Sequence, residues 1–229
     1  MCGRFVQCTD PDTLAEHFGL DRVCAASPRY NVAPTQSVLA IRAEPAGVTR
    51  RELVQLRWGL VPAWSKGPDP RYSMINARAE SVAEKPAYRN SFRQRRCLIP
   101  ADGFYEWQTR ADGKQPFLIR RADEAPFAMA GLWEQWQGDD GQEPGGRVID
   151  SCTIIVTDAN ALLAPIHDRM PVILDPADYA LWLDPGMQDR QRLQALLQPV
   201  DPTGWIAYPV SRAVNSPAND DPRLLDPVS

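Results

Sequence analysis

Apolar and polar positions alternate in short runs along most of the chain. This is the pattern of β-strands that bury one face. The runs are brief, and 22 prolines interrupt the segments between them. Nine runs are predicted to be strands, at residues 37–42, 52–58, 97–100, 104–108, 116–121, 127–132, 152–156, 172–174 and 206–210.

Three other segments have the boundary residues and the spacing of short helices. Asp10 followed by Pro11 predicts a helix start, because aspartate caps free N–H groups and proline suits the first turn. Apolar residues up to Phe18 then share one face, and Gly19 ends the helix. Two more helices are predicted, one starting at Asp175 and Pro176 and running through residues 179–182, and one over residues 189–197.

The strands do not alternate regularly with long helices, which argues against a doubly wound parallel sheet. We expect the α+β class: a single domain with a mixed, largely antiparallel β-sheet, a barrel-like core and short peripheral helices. The domain is predicted to cover residues 1–211, followed by a Pro/Asp-rich tail at 212–229. Residues 215–229 are expected to pack poorly, and the Gly-rich residues 137–147 are expected to form a surface loop.

Composition narrows the class of protein further. No apolar run approaches the ~20 residues that cross a bilayer. The N-terminus also lacks the basic segment followed by an apolar segment that marks a secretory signal. We therefore expect a cytoplasmic protein without membrane partners. The net charge of −4 argues against nucleic-acid binding through bulk positive charge. All basic residues except three lysines are arginines, so DNA contacts would require arginines clustered on one face.

The five cysteines are odd in number, scattered and without C-x-x-C spacing, and the chain has only two histidines. A disulfide framework or a metal site is therefore not expected. Four of them are interpreted as small core residues: Cys8, Cys24, Cys97 and Cys152.

Cys2 differs from the others because it directly follows Met1. Methionine is normally removed before a small second residue, which would give Cys2 a free α-amine beside its thiol. Such a 1,2-aminothiol reacts with an aldehyde: the amine forms an imine, and the thiol then closes a thiazolidine ring. The α-amine has a pKa of ~7.7–8.0 against ~10.4 for lysine, so far more of it is neutral near pH 7.5.

The N-terminal sequence alone leaves three interpretations open. Cys2 could be an incidental second residue. It could be the nucleophile of an N-terminal-nucleophile amidotransferase or protease, or it could capture an aldehyde.

Further along the chain, six motifs occur in the order typical of one family. They are MCGRF at residues 1–5, YNVAPTQ at 30–36, WGLVPAW at 58–64, NARAE at 76–80, RCLIPADGFYEW at 96–107 and HDRMP at 167–171. Together they resemble the SRAP (SOS response-associated peptidase) family over residues 1–211. Any one could arise by chance, but six in order are specific.

The resemblance implies a function in the DNA damage response. Members recognise abasic sites in single-stranded DNA and at single-strand/double-strand junctions, and form a thiazolidine crosslink that shields the lesion. By motif, the implied catalytic residues are Cys2, Asn76, Glu106 and His167, and the implied DNA-binding residues are Arg4, Asn31, Pro34, Trp64, Arg78, Trp107 and Arg169. The resemblance implies no cofactor, no metal, a monomer, and association with the nucleoid after damage. It leaves the enzyme class open between peptidase (a hydrolase) and lyase.

The chemistry of these residue types fits the implied roles. Histidine titrates nearest neutral pH and can protonate a sugar ring oxygen. A desolvated carboxyl such as Glu106 can exchange protons with an amine or with leaving water.

Two alternatives are kept. An amidohydrolase or autopeptidase would also use an exposed Cys2. A non-covalent single-stranded DNA sensor would bind intact and abasic DNA alike, in a salt-sensitive way.

Overall fold

The computed structural model describes residues 2–43, 50–69, 74–138 and 146–228. Within these ranges four α-helices form: α1 (Pro11–Phe18), α2 (Arg89–Gln94), α3 (Tyr179–Leu183) and α4 (Arg190–Ala195). The strands are β1 (Arg4–Gln7), β2 (Arg29–Val32), β3 (Ser37–Ala43), β4 (Arg51–Trp58), β5 (Asn76–Arg78), β6 (Arg96–Ala101), β7 (Gly103–Arg110), β8 (Gly113–Arg121), β9 (Phe127–Gly138), β10 (Arg147–Asp158), β11 (Arg169–Pro171), β12 (Ile173–Leu174) and β13 (Trp205–Pro209).

Eight strands form a sheet that closes on itself. Its order is β11-β10-β4-β3-β6-β9-β12, β5 pairs with β10, and β10 also pairs with β9. Strands β10, β4, β3, β6 and β9 therefore make a closed barrel, which removes the free edges of those strands. Among the pairs of strands in the described ranges, β10–β4 and β10–β5 are parallel and the others are antiparallel; an isolated bridge between Arg22 and Glu52 is also parallel. The predicted α+β class with a barrel-like, largely antiparallel core is confirmed.

The barrel interior is apolar and tightly filled. Trp58, Cys97, Cys152 and Ile154 are wholly buried there. At Gly131 a Cβ atom would lie 2.9 Å from the Sγ of Cys97, closer than carbon and sulfur tolerate. Glycine at this position therefore leaves room for the side chain of Cys97, which lies opposite it on β6.

The remaining five strands form an antiparallel sheet in the order β13-β8-β7-β1-β2. Arg4 on β1 lies opposite Tyr105 on β7, and Phe5 lies opposite Phe104. Phe5 also packs edge-on against Trp58 of the barrel, with ring centroids 4.9 Å apart. The N-terminal strand is thus held between β7 and the edge strand β2 of one sheet and packs against the other sheet.

The prediction that residues 215–229 pack poorly is wrong for the part described, which ends at residue 228. Within this segment Leu224 is buried in the 3₁₀ turn Pro222–Leu225, and the hydroxyl of Tyr208 donates to the carbonyl of Leu225 at 3.0 Å. Just before the segment, Val214 is buried in the 3₁₀ turn Arg212–Asn215. The carboxylate of Asp220 accepts the backbone N–H groups of Tyr30 and Asn31 on the outer strand β2. The polar tail residues are acceptors for an exposed sheet edge, which composition does not reveal. Division of the chain at residue 211 stays a prediction.

The helix starts agree with the sequence, and one end does not. Asp10 caps α1 through the N–H groups of Asp12 and Thr13, and Gly19 ends it with φ 60°. Asp175 caps a 3₁₀ turn that leads into α3. Helix α4 begins after Asp189 as predicted but ends at residue 195, two residues early.

All nine predicted strands overlap observed ones, whereas β1, β2, β5, β11 and helix α2 were not predicted. Of the predicted surface loop at 137–147, residues 137–138 belong to β9 and residue 147 to β10; residues 139–145 lie outside the described ranges. No helix in the described part of the chain is long and apolar enough to cross a membrane.

Candidate active site

Cys2 lies two residues before the start of β1, and its side chain is wholly buried. Its Sγ lies 4.0 Å from the carbonyl oxygen of Arg4, and its own carbonyl accepts a hydrogen bond from the Asn76 amide at 2.8 Å. Burial, and then the charge of nearby Glu106, raises the pKa of the Cys2 thiol. At neutral pH the sulfur is therefore held as a thiol rather than a thiolate.

Asn76 begins β5, which pairs in parallel with β10 so that Asn76 lies opposite Ile154. Its backbone carbonyl accepts from the hydroxyl of Tyr88 at 3.3 Å. Its side-chain Oδ1 is buried and has no hydrogen-bond partner among the described residues. A buried acceptor without a donor costs free energy, so this oxygen is suited to receive an external hydroxyl or N–H group.

Glu106 lies on β7, where β1 pairs with the residues just before it. Its side chain is 2 % exposed. Burial raises the pKa of Glu106 to about 7, and the charge of Asp168 acts in the same direction. The carboxyl therefore gains and loses a proton near neutral pH, as a general acid and base must.

His167 lies two residues before β11 begins its pairing with β10 at Arg169. The backbone N–H of Arg169 donates to its Nδ1 at 3.0 Å, and Oδ1 of Asp168 lies 2.9 Å from the same atom. The first contact needs a lone pair on Nδ1 and the second needs a proton there, so the two contacts suit different protonation states of the ring. Burial lowers the pKa of His167, which favours the neutral ring.

Arg78 and Arg169 lie on the two strands that flank the end of β10. Val156 of β10 pairs with Arg78 on one side and with Pro171 of β11 on the other. Arg169 bonds to Glu80 at 2.7 Å, and Arg78 is exposed. The hydrogen bond from Arg169, with a smaller contribution from the charge of Arg78, lowers the pKa of Glu80.

The structure places Arg4 and Asn31 in a different setting from the one expected. Asn31 is wholly buried in this arrangement and makes structural contacts there, and its contact with DNA stays a prediction. Its amide donates to three tail carbonyls, those of Val214, Ser216 and Asn219. Arg4 donates to Asn31 Oδ1 at 2.9 Å and to Val214 O at 2.8 Å, so it too holds the tail.

The three remaining predicted DNA contacts are partly or largely exposed. Trp64 has 69 % of its surface exposed and lines a cleft of about 980 Å³ with Met74. Trp107 is half-buried, and its Nε1–H donates to Asn215 Oδ1 at 2.8 Å. Pro34 is half-buried. Unlike them, Trp58 is wholly buried, as expected of a core residue.

The matches to known proteins fit this geometry. The family model described as SOS response associated peptidase (SRAP) matches residues 1–217. The chain belongs to the SRAP family. It is 44 % identical over 231 residues to the abasic site processing protein YoqW of Bacillus subtilis (strain 168), covering 99 % of each chain.

A vertebrate relative and a solved structure extend the match of this SRAP chain. The chain is 34 % identical over 226 residues to the abasic site processing protein HMCES of Xenopus tropicalis, covering 86 % of this chain and 65 % of the relative. A crystal structure of a protein from Bacteroides thetaiotaomicron aligns over the whole of both chains, with a TM-score of 0.86 and 26 % identity.

Sequence reasoning missed two residues that support the site of this SRAP protein. Tyr88 bonds the backbone of Asn76, and Asn215 fixes the indole of Trp107. Neither stands in one of the six motifs, and a tyrosine or asparagine outside a motif gives no signal in one sequence. The described part of the chain contains no group of three or more metal-ligating side chains.

Proposed function

We propose that this SRAP protein binds abasic sites in single-stranded DNA, including at single-strand/double-strand junctions, and captures the ring-opened sugar covalently through Cys2. The observation that carries the proposal is the position of Cys2, bonded to Asn76 and beside the buried carboxyl of Glu106. The abasic site processing relatives at 44 % and 34 % identity support the choice of substrate.

The reaction starts with hydrolysis of the Met1–Cys2 bond, which frees the α-amine. The amine adds to the aldehyde carbon of the opened sugar, and the carbinolamine loses water to give an imine. The thiol then adds to the imine carbon and its proton passes to the nitrogen, so the net change is condensation with release of one water. A thiol with a raised pKa suits this order, because the neutral amine attacks first.

Each remaining residue has a role that its geometry supports. Glu106 accepts the proton of the amine and returns it to the leaving water. His167 donates a proton to the sugar ring oxygen as the ring opens. The free Oδ1 of Asn76 accepts a hydrogen bond from a sugar hydroxyl.

DNA around the lesion is bound by the exposed side of the site. Arg78 and Arg169 bind phosphates, and Trp64, Trp107 and Pro34 contact bases. Arg4 supports the DNA-binding side indirectly, because it bonds to the tail, which also holds Trp107 through Asn215. The protein acts as a monomer without a cofactor, in the cytoplasm and at the nucleoid after damage.

The test mixes purified protein with single-stranded DNA that carries one abasic site and separates the products on a denaturing gel. We expect a shifted band with abasic DNA, none with intact DNA, and none with Cys2→Ala. No band from protein whose Met1 is shown by mass spectrometry to be absent would contradict the proposal. Salt-sensitive binding to both DNAs without such a band would instead indicate a non-covalent sensor.

The description of the family as a peptidase favours a second activity, cleavage of Met1–Cys2 by the protein itself. Cell-free synthesis with methionine aminopeptidase inhibited tests it. Mass spectrometry should then show loss of Met1 in the wild type. Retention of Met1 would assign its removal to the aminopeptidase.

A further inference from the structure

A second basic surface lies outside the site described above, between α2 and α4. It is a pocket of about 490 Å³ lined by three arginines and two amides: Arg89, Arg93, Arg190, Asn90 and Gln188. Arg89 and Arg93 are four residues apart on α2, so their side chains share one helix face.

The pocket rests on a fixed base. Phe92 and Leu193, which also line it, are 2 % and 1 % exposed. The buried guanidinium of Arg96 donates to the carbonyls of Phe92 and Arg93, each at 2.7 Å. Gln188 donates to the Arg93 carbonyl from the other side at 3.4 Å. The backbone that carries the arginines is therefore held from both sides.

The charges of the pocket are unbalanced. Among the residues that the structure describes, no acidic one lines the pocket, although the whole chain carries a net charge of −4. Arg190 pairs with Glu84 outside the lining at 2.7 Å. The side chains of Arg89 and Arg93 have no hydrogen bond or ion pair to any residue in the described ranges. Neighbouring guanidinium groups repel one another, and an anion that accepts from several N–H groups removes that repulsion.

Hydrogen bonds join both sides of the pocket, α2 and α4, to the segment around β5, the strand that carries Asn76 and Arg78. Tyr88, the residue before Arg89, donates to the carbonyl of Asn76 at 3.3 Å. On the other wall, Gln194 of α4 donates to the carbonyl of Ala79 at 2.7 Å, one residue after Arg78. The pocket is thus tied to β5 and the residue after it by two hydrogen bonds, on the side where Ala77 and Ala79 pack with Phe92 and Leu193. DNA that continues beyond the lesion would have to pass along β5 to reach it.

We propose that this pocket binds a backbone phosphate of the DNA that flanks the lesion. The inference rests on the proposed DNA binding and adds a second anchoring site, distinct from Arg78 and Arg169. Planar guanidinium forks match the oxygens of a phosphodiester, which makes arginine the suitable residue here. The acidic protein would then hold DNA by local clusters of arginine instead of by its overall charge.

The experiment measures equilibrium binding of DNA with a reduced abasic site, which has no aldehyde and cannot crosslink. The double variant Arg89→Gln/Arg93→Gln is compared with a matched control, Arg121→Gln/Arg223→Gln. The control removes the same charge from arginines that pair with surface carboxylates elsewhere. Each protein is titrated with a trinucleotide centred on the lesion and with a strand several times longer, at several salt concentrations.

We expect the pocket variant to bind the long strand several-fold more weakly, with a salt slope reduced by ~0.7 for each lost phosphate contact. It should bind the trinucleotide like the wild type, and the control should match the wild type on both. Because the reduced lesion forms no imine, this binding result can be interpreted even if the protein is found not to crosslink.

Three results would overturn the inference. The first is equal weakening on both DNA lengths, the second is the same loss in the control variant, and the third is unchanged binding of the long strand. Inorganic phosphate tests whether the ligand of the pocket is a free phosphate ion instead of a DNA phosphate. The free ion would be the ligand if phosphate stabilised the wild type but not the variant against heat while binding of the long strand stayed unchanged.

Discussion

Cys2 and the barrel cysteines Cys97 and Cys152 are alike in burial and differ in their surroundings. All three are wholly buried, and burial raises the thiol pKa of each. Cys97 and Cys152 face the apolar barrel interior, whereas Cys2 lies beside the Asn76 amide and the Glu106 carboxyl. Burial and thiol pKa therefore do not distinguish the cysteine proposed to react from the two barrel cysteines. The distinction proposed here is that Cys2 has an amide and a carboxyl beside it, and an α-amine once Met1 is removed.

The largest expected difference between the surroundings of Cys2 and the barrel interior around Cys97 and Cys152 is covalent capture of the lesion. Cys2→Ser retains the α-amine but loses ring closure through sulfur, so at most a reversible imine forms. No adduct should survive on a denaturing gel. A stable adduct from this variant would rule out the thiazolidine.

Glu106 is the second feature that separates the two regions. Glu106→Gln keeps the shape but cannot exchange a proton, and general acid–base groups contribute roughly 10²–10⁴-fold in rate. Single-turnover gels should show adduct formation slowed by at least about 100-fold, with affinity for reduced abasic DNA unchanged. Lost affinity would instead make Glu106 a structural residue.

The pH dependence of stability sharpens the comparison further. Because the pKa of Glu106 is about 7 in the folded protein against an ordinary 4.5, the folded state keeps this proton to higher pH than the unfolded state. The stability contributed by the protonated carboxyl is present below pH 4.5 and is lost as pH rises through about 7, a change of about 3 kcal/mol.

Urea unfolding of the wild type and Glu106→Gln across this pH range measures the effect. The unfolding free energy of the wild type should fall by about 3 kcal/mol relative to the variant. Parallel curves would mean that the carboxyl is not desolvated. The pKa values of the barrel thiols are raised, so they should add nothing in this range.

The smallest effect is expected in the barrel. Cys152→Ser places a hydroxyl in an apolar interior and should lower the free energy of unfolding by about 1–3 kcal/mol. Crosslinking by the folded variant should equal that of the wild type. A variant that folds normally but does not crosslink would give Cys152 a role in the chemistry and remove the contrast.

The sequence predicts the elements whose signal is local. Alternating runs locate the long barrel strands, and aspartate caps locate the starts of three helices. Strands β1, β2, β5 and β11 have three or four residues each and are held by pairing with distant segments, so they leave no periodic pattern. Helix α2 has no side-chain cap and likewise gives no boundary signal.

The motifs likewise predict some features of the candidate site and miss others. The structure brings Cys2 together with Asn76 and Glu106, residues far apart in sequence. The sequence does not reveal that Asn31 and Arg4 form hydrogen bonds with the tail. A Pro/Asp-rich composition suggests disorder, and it does not show which residue, such as Asp220, accepts a specific hydrogen bond. Motif matching cannot separate a residue that touches DNA from one that supports it.

The pairing of β1 with the distant strand β7 also has a consequence for the order of events during synthesis. Residues 4–7 leave the ribosome early, but their partner β7 spans residues 103–110. At elongation rates of ~5–20 residues per second, β1 waits on the order of 5–20 s before it can pair. During that interval the first residues are unstructured and open to an aminopeptidase. An aminopeptidase therefore has access to Met1 before folding encloses Cys2, and any chain that it misses would depend on cleavage by the folded protein itself.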